Sequence, residues 1–142
     1  MASNHVRGHH QFEDHTGEVR LKLGAPSLEE LFAEAGRALA ELMLGDLAAR
    51  SALGPEQRVR VRAADLEALL VEWLNELIFL SETSKQVFTR FRVEHLGTGE
   101  LEAVVAGVAP EALKTQVKAA TFHGLSVENR LGAWRASIVL DV

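Results

Sequence analysis

The chain has 142 residues, 47% of them hydrophobic, a formal net charge of −5 and no cysteine. That length suits one domain or two small lobes sharing a core, and the apolar content excludes intrinsic disorder. The missing cysteines exclude disulfides, thiolate chemistry and cysteine-ligated zinc, and the acidic balance argues against a nonspecific nucleic-acid binder, leaving room only for a local basic patch.

The opening MASNHVRGHHQF lacks the apolar core of a secretory signal, and no apolar run approaches the roughly 20 residues that span a bilayer. A soluble cytoplasmic protein is expected. Residues 1–10 are polar, carry His5, His9 and His10, and read as a flexible tail before a domain over 11–142. A histidine metal site is the sharper alternative, without helical spacing to support it.

Val19, Leu21 and Leu23 alternate with Arg20 and Lys22, the pattern of a half-buried strand that Gly24 and Pro26 end. Ser27 reads as an N-cap with Glu30 completing a capping box. A helix over Leu28–Leu44 follows, with Leu31, Phe32, Ala35, Leu39, Leu42 and Met43 on its inner stripe and Gly45 as its stop. Residues 45–55 read as a loop. Gln57–Ala63 is a predicted strand with Val59 and Val61 inward. Arg58, Arg60 and Arg62 then face outward, as a solvated face or as a surface for phosphate or an acidic partner.

Asp65–Leu80 holds the strongest helical period, with Leu66, Leu69, Leu70, Trp73, Leu74, Leu77 and Ile78 on one broad face behind an Asp65 N-cap. It is the expected core helix. SETSKQ reads as a connector. Val87–His95 and Glu100–Val108 form a hairpin around Gly97-Thr98-Gly99. Pro110–Leu113 is a break, and Lys114–Arg130 holds one long extended stretch or two shorter ones. Leu131-Gly132 is a turn into a last strand, Ala133–Val142. The order predicts an α+β fold, two helices packed on mostly antiparallel sheet, rather than a doubly wound one.

No dinucleotide fingerprint, P-loop, nucleophile elbow or HExxH is present. Four places carry weighable polar residues. Glu13, Asp14, His15 and Glu18 sit within six residues, as a solvated turn or an oxygen site for a hard cation. Asp141 stands beside Val142, whose α-carboxylate would add charge, and spacing alone leaves its partner open. Lys118 and His123 frame KAATFHGL; by residue type the first reads as a surface charge and the second as a hydrogen-bonded structural histidine. Glu72, Asn75 and Glu76 share a helix face, as a solvated face or as a partner or cation surface.

LLVEWLNELIFL (69–80), KAATFHGLSVE (118–128), WRASIVLDV (134–142) and the opening FEDHTGEVRLKLGAPSLEELFAEAGRAL together resemble the archease family, in the same order over residues 11–142. The resemblance implies a fold of strand–helix–strand–strand modules. It also implies a function: a non-catalytic protein cofactor of an RtcB-type RNA ligase, promoting guanylylation of the ligase's active-site histidine and its multiple turnover in tRNA splicing or RNA repair.

The family's HTAD acid falls on Glu18, because this chain reads His15-Thr16-Gly17-Glu18, and its C-terminal acid falls on Asp141. With Val142 they are the implied metal ligands, while Lys118, His123 and His15 are the implied partner-facing residues. Glu in place of Asp keeps the charge and adds a methylene. Ca²⁺ tolerates that more readily than octahedral Mg²⁺, with Mn²⁺ a further alternative. The ligase is the expected partner, RNA being met only through it and no membrane. Exposed edge strands leave pairing between copies open. Two other readings stand beside this one: a small metal-dependent hydrolase using His15 or His123 as base, and an interaction module for another RNA-processing enzyme.

Overall fold

The computed structural model describes residues 7–46 and 54–142. In chain order the elements are β1 (His9–His15), β2 (Glu18–Ala25), α1 (Leu28–Leu44), β3 (Gln57–Arg62), α2 (Leu66–Ser84), β4 (Val87–Leu96), β5 (Glu100–Val108), β6 (Ala119–Arg130) and β7 (Ala133–Asp141). They form two antiparallel sheets, ordered β1-β2-β7-β6 and β3-β5-β4. Each helix contacts both sheets: α1 meets β2 and β4, α2 meets β6 and β3. The α+β architecture is the one expected.

The caps explain the helix starts. Ser27 accepts from the Glu30 N–H at 3.1 Å, and Asp65 from the Ala68 N–H at 2.8 Å, each satisfying a donor that the first turn leaves orphaned. The Glu30 carboxylate does not complete the capping box; it pairs with Arg37 two turns along the same face. Trp73 anchors the core. It is fully buried, its indole N–H donates to the Phe32 carbonyl at 2.8 Å, and its ring meets Phe91 edge-on. Gly36 lets α1 approach this closely, since a Cβ there would come within 2.6 Å of the Phe91 ring. The leucines Leu69, Leu70, Leu74 and Leu77 complete the layer, each contributing about 1.5–3 kcal/mol by burial.

Several boundaries differ from the sequence reading. β1 begins at His9, so the end of the stretch read as tail is strand; His5 lies outside the described residues. The acidic stretch read as a turn is mostly strand as well, with only Thr16-Gly17 turning between β1 and β2. β3 stops at Arg62, before Ala63. α2 runs one turn beyond Leu80, through SETS. It stops at Lys85, which takes the left-handed conformation at φ 58° and donates its N–H to the Ser81 carbonyl. Only Ala119–Arg130 of the stretch from Lys114 is strand. The loop reading over 45–55 falls largely on residues 47–53, which lie outside the described residues.

Candidate functional site

β2 and β7 pair antiparallel with Glu18 opposite Asp141. Residues so opposed share a face, with Cβ atoms about 4.5–5.5 Å apart. Val19, Leu21 and Leu23 point to the core, as do Ala136, Ile138 and Leu140, so strand alternation sends both acids to the outer face at the end of the sheet. Both are half-buried. His15 stands opposite Glu18 on β1, and Ala119 opposite Asp141 on β6, so His15, Glu18, Asp141 and Ala119 form one rank across four strands.

Two backbone bonds close this end. The Val142 N–H donates to the Gly17 carbonyl at 3.1 Å, and the Lys118 N–H donates to the Asp141 carbonyl at 2.8 Å. Among the described residues neither acid has a cationic partner within 4.0 Å. Lys118 therefore joins the acids through main chain. Its side chain is exposed and forms no ion pair with either.

His123 lies elsewhere. It is exposed on β6, in an irregular segment where Thr121 faces Val139 and the next paired residue, Ser126, already faces Ser137. The bulge is built, not frayed. Gly124 sits at φ 63° beneath the Arg20 guanidinium, which donates to the Gly124 carbonyl at 3.4 Å and to the Ser137 hydroxyl at 3.0 Å. A Cβ at 124 would come within 3.0 Å of that guanidinium. Four strand residues separate His123 from Ala119, roughly 13 Å. The structure thus brings Glu18, Asp141, Val142, His15 and the Lys118 backbone together and leaves His123 apart.

Beside this end a cleft of about 490 Å³ opens toward the C-terminus of α1. Asp14, His15, Glu18, Glu41, Asp46, Lys114 and Val142 line it. Glu13 is turned away and paired with Lys22 at 3.0 Å; the hydrogen bond from that lysine holds its carboxyl below the usual range. Among the described residues no group of three or more His, Asp or Glu side chains is gathered as a metal centre. The Glu18–Asp141 donor set is two carboxylates, all oxygen, which suits a hard cation such as Ca²⁺ that fills its shell with carbonyls and water.

Three polar arrangements were not foreseen from sequence. His10 bridges two carboxylates on α1: its Nδ1 lies 2.6 Å from Glu34, and its Nε2 contacts Glu41. Glu34 is 6% exposed and also accepts from Arg37 at 3.0 Å. Its place on the inner side of α1, three residues after Leu31 and four before Ala38, was the available signal, because a buried acid needs partners. Asn75 is taken up inside the fold rather than by solvent. Its side chain donates to the Ala120 carbonyl at 3.2 Å and accepts from the Ala120 N–H at 2.8 Å, closing the open edge of β6 as a further strand would. The outward arginines of β3 are each matched: Arg58 with Glu94, Arg60 with Glu102, Arg62 with Glu100.

Two antiparallel sheets holding two helices, with the first and last long strands paired so that an acid from each stands at one sheet end, define a small α+β protein of the strand–helix–strand–strand kind. The chain belongs to the archease family: residues 10–142 match the model of the archease protein family. It is 30% identical to protein archease of Methanosarcina mazei, over 94% of this chain and 95% of that one. To protein archease of Methanopyrus kandleri it is 35% identical, over 91% and 96%. The solution structure of Methanobacterium thermoautotrophicum protein 1598 superposes with a TM-score of 0.74 at 28% identity, covering 94% of this chain and 98% of that one. The crystal structure of an archease from Thermotoga maritima, described as a possible chaperone, superposes at 0.67 over 99% and 100%; at 21% identity that likeness is one of fold alone. No described helix is long and apolar enough to cross a membrane.

Proposed function

We propose that this chain is a non-catalytic protein cofactor of an RtcB-type RNA ligase, promoting the ligase's guanylylation and turnover in tRNA splicing or RNA repair through a divalent-cation site formed by Glu18, Asp141 and Val142. Family membership supports the cofactor role. One observation carries the site: two carboxylates stand directly opposed across β2 and β7, half-buried, with no cation beside them among the described residues. Like charges so placed destabilise the sheet unless something offsets them. A divalent cation, Ca²⁺ in first place, would supply that offset and a positive charge for phosphate oxygens.

The chain's own residues do the rest. Glu18 and Asp141 hold and aim the charge from two paired strands, which fixes their spacing more firmly than a loop would. Lys118, anchored to the Asp141 carbonyl by its backbone and with its side chain exposed, is a point charge for a phosphate on the docked ligase. His15 and His123 are exposed, and among the described residues neither ring is hydrogen-bonded to an orienting carboxylate. That favours a helper over a hydrolase, which needs a base held by a partner.

The test measures ligase guanylylation and turnovers per ligase with wild-type, Asp141→Asn and Lys118→Ala protein. Each folded variant is expected to lose about tenfold or more of the stimulation, the size of one electrostatic contact made at the transition state. Wild-type stimulation from both would sink the assignment.

A further inference from the structure

The far end of the four-stranded sheet, away from the acids, carries the β6–β7 hairpin and a cleft of about 310 Å³ lined by Arg7, His9, Leu131 and Arg135. Leu131 and Gly132 take φ 54° and 83°, the left-handed pair of a tight two-residue turn. Leu131 is fully exposed at 102%. The Gly132 N–H donates to the Asn129 side chain at 3.0 Å, so the turn is tied to the strand before it. The residues flanking such a turn, Arg130 and Ala133, bond to each other across the hairpin. By alternation, Val127 and Asn129 then turn their N–H and C=O groups to the open edge of β6.

Open edges are normally blunted, and the other edges of the two sheets are. β4 breaks register between Phe88 and Arg90 and again between Val93 and His95. The arginines of β3 are taken by Glu94, Glu102 and Glu100. On β1, Glu13 is taken by Lys22, and His10 by Glu34 and Glu41. β6 is guarded only near its start, by its bulge and by α2. Asn75 bonds to Ala120, while Ser81 and Lys85 share a cleft with Gln116 and Val117, so the helix runs opposite to β6 with its N-terminus toward the hairpin. From Asn75 back to Leu66 it reaches about 14 Å. β7 needs about 24 Å from Leu140, opposite Ala120, to Ala133, opposite Arg130. Glu128, Asn129 and Arg130 lie beyond the helix and are exposed. Among the described residues neither Glu128 nor Arg130 forms an ion pair within 4.0 Å, not even Glu128 with Arg135 opposite it on β7.

We propose that this chain pairs with a second copy of itself along the last stretch of β6, antiparallel and centred on Asn129, so that the two four-stranded sheets become one. In that register Asn129 exchanges both main-chain bonds with its own copy, because its N–H and C=O face the edge. Glu128 falls opposite Arg130 of the second copy, and Arg130 opposite its Glu128, in the pairs where side chains approach most closely. The half-buried Val127 falls opposite the exposed Leu131 of the second copy. Other registers lose this match. Centred on Glu128, the pairing sets that carboxylate against itself; centred on Val127, it leaves Glu128 opposite Ser126 and Arg130 opposite Gly124 in the bulge. An extended strand of another protein would use the edge bonds, but the twofold charge match is specific to a second copy. So short a seam makes a weak dimer. It leaves both acid ends open, since they lie at the other end of each sheet. The inference stands apart from the ligase reading, and it is tested without the ligase.

The experiment is sedimentation velocity on the full chain at low salt, with chelator present so that no metal ion bridges copies, up to about 1 mM, the range of weak complexes. A dimer fraction that rises with protein concentration and falls with salt is expected. Glu128→Arg and Arg130→Glu each set two like-charged pairs across the twofold axis and should weaken association about tenfold or more. Both positions are exposed, so each variant should melt as the wild type does. Mixed in equal amounts, the two variants present complementary edges and should associate as tightly as the wild type. A wild type that stays monomeric throughout, single variants that associate undiminished, or a mixture of folded variants that fails to pair would each overturn the proposal.

Discussion

The two sheets use the same cross-strand slot in opposite ways. In the three-stranded sheet Arg60 faces Glu102 and Arg62 faces Glu100, opposite charges in register along an exposed face. In the four-stranded sheet the slot at its end holds Glu18 against Asp141. The first arrangement is complete in itself, and its exposed pairs contribute little, about 0–1 kcal/mol each. The second has no cationic side chain beside it among the described residues, and the proposed divalent ion would offset its charge. A third pair of acids finds its partner within the chain: Glu34 and Glu41 on α1 are bridged by His10 from β1. Charged residues that satisfy one another need nothing from outside the chain.

Supplying the missing charge should give the largest effect. Ca²⁺ at a hundred times its dissociation constant is expected to stabilise the wild type by about 2.7 kcal/mol, seen as a higher melting temperature that chelator reverses. Glu18→Gln and Asp141→Asn should melt at the same temperature with and without the ion. A full shift in both variants would place the cation elsewhere.

The bridged pair comes next. The hydrogen bond to Glu34 is the main reason that His10 is raised above its ordinary 6.5, against the opposing effect of burial. For Glu34 burial pushes upward, but the hydrogen bonds from His10 and Arg37 outweigh it and hold the carboxyl below 4.5. The stability from His10 is therefore complete below 6.5 and is lost as pH rises through its raised folded value. That from Glu34 is complete above 4.5 and is lost as pH falls through its lowered one. His10→Ala should cost about 1–3 kcal/mol between those limits, since it takes a partner from a buried carboxylate. The gap from wild type should narrow in alkaline melts. A pH-independent gap would mean that packing, not charge, holds β1 to α1.

The smallest change is expected in the matched ladder. Arg60→Ala should cost under about 0.5 kcal/mol by urea denaturation and still less in high salt. A loss above about 1 kcal/mol would show the ladder to be a working part of the core.

The fold was legible where local chemistry is decisive. α1 starts and stops at its predicted residues because Ser27 and Gly45 mark both ends. α2 starts at its Asp65 cap. Its last turn was hidden because SETS carries no apolar signal, and a left-handed Lys85 ends the helix where glycine would be expected. β1 was missed because it is an edge strand: Phe12 is its one apolar side chain, among charged and polar neighbours that look like a turn. The likeness to archeases, not periodicity, suggested that Glu18 and Asp141 meet, since no local pattern reports a pairing across 123 positions. The cleft at the other sheet end was invisible for the same reason, since Arg7 and His9 are far in sequence from Arg135 and line it together.

The placement of β7 between β2 and β6 has a consequence for biosynthesis. It is the latest of the described strands to leave the ribosome, yet it occupies a central position, so its neighbours wait with open edges until it arrives. Such long-range closure is slow compared with forming a helix or hairpin. A polypeptide interrupted before Ala133 would leave β2 with an open edge and β6 without a partner, and would carry half of an acid pair, so incomplete products should be aggregation-prone and inert, and only finished molecules competent.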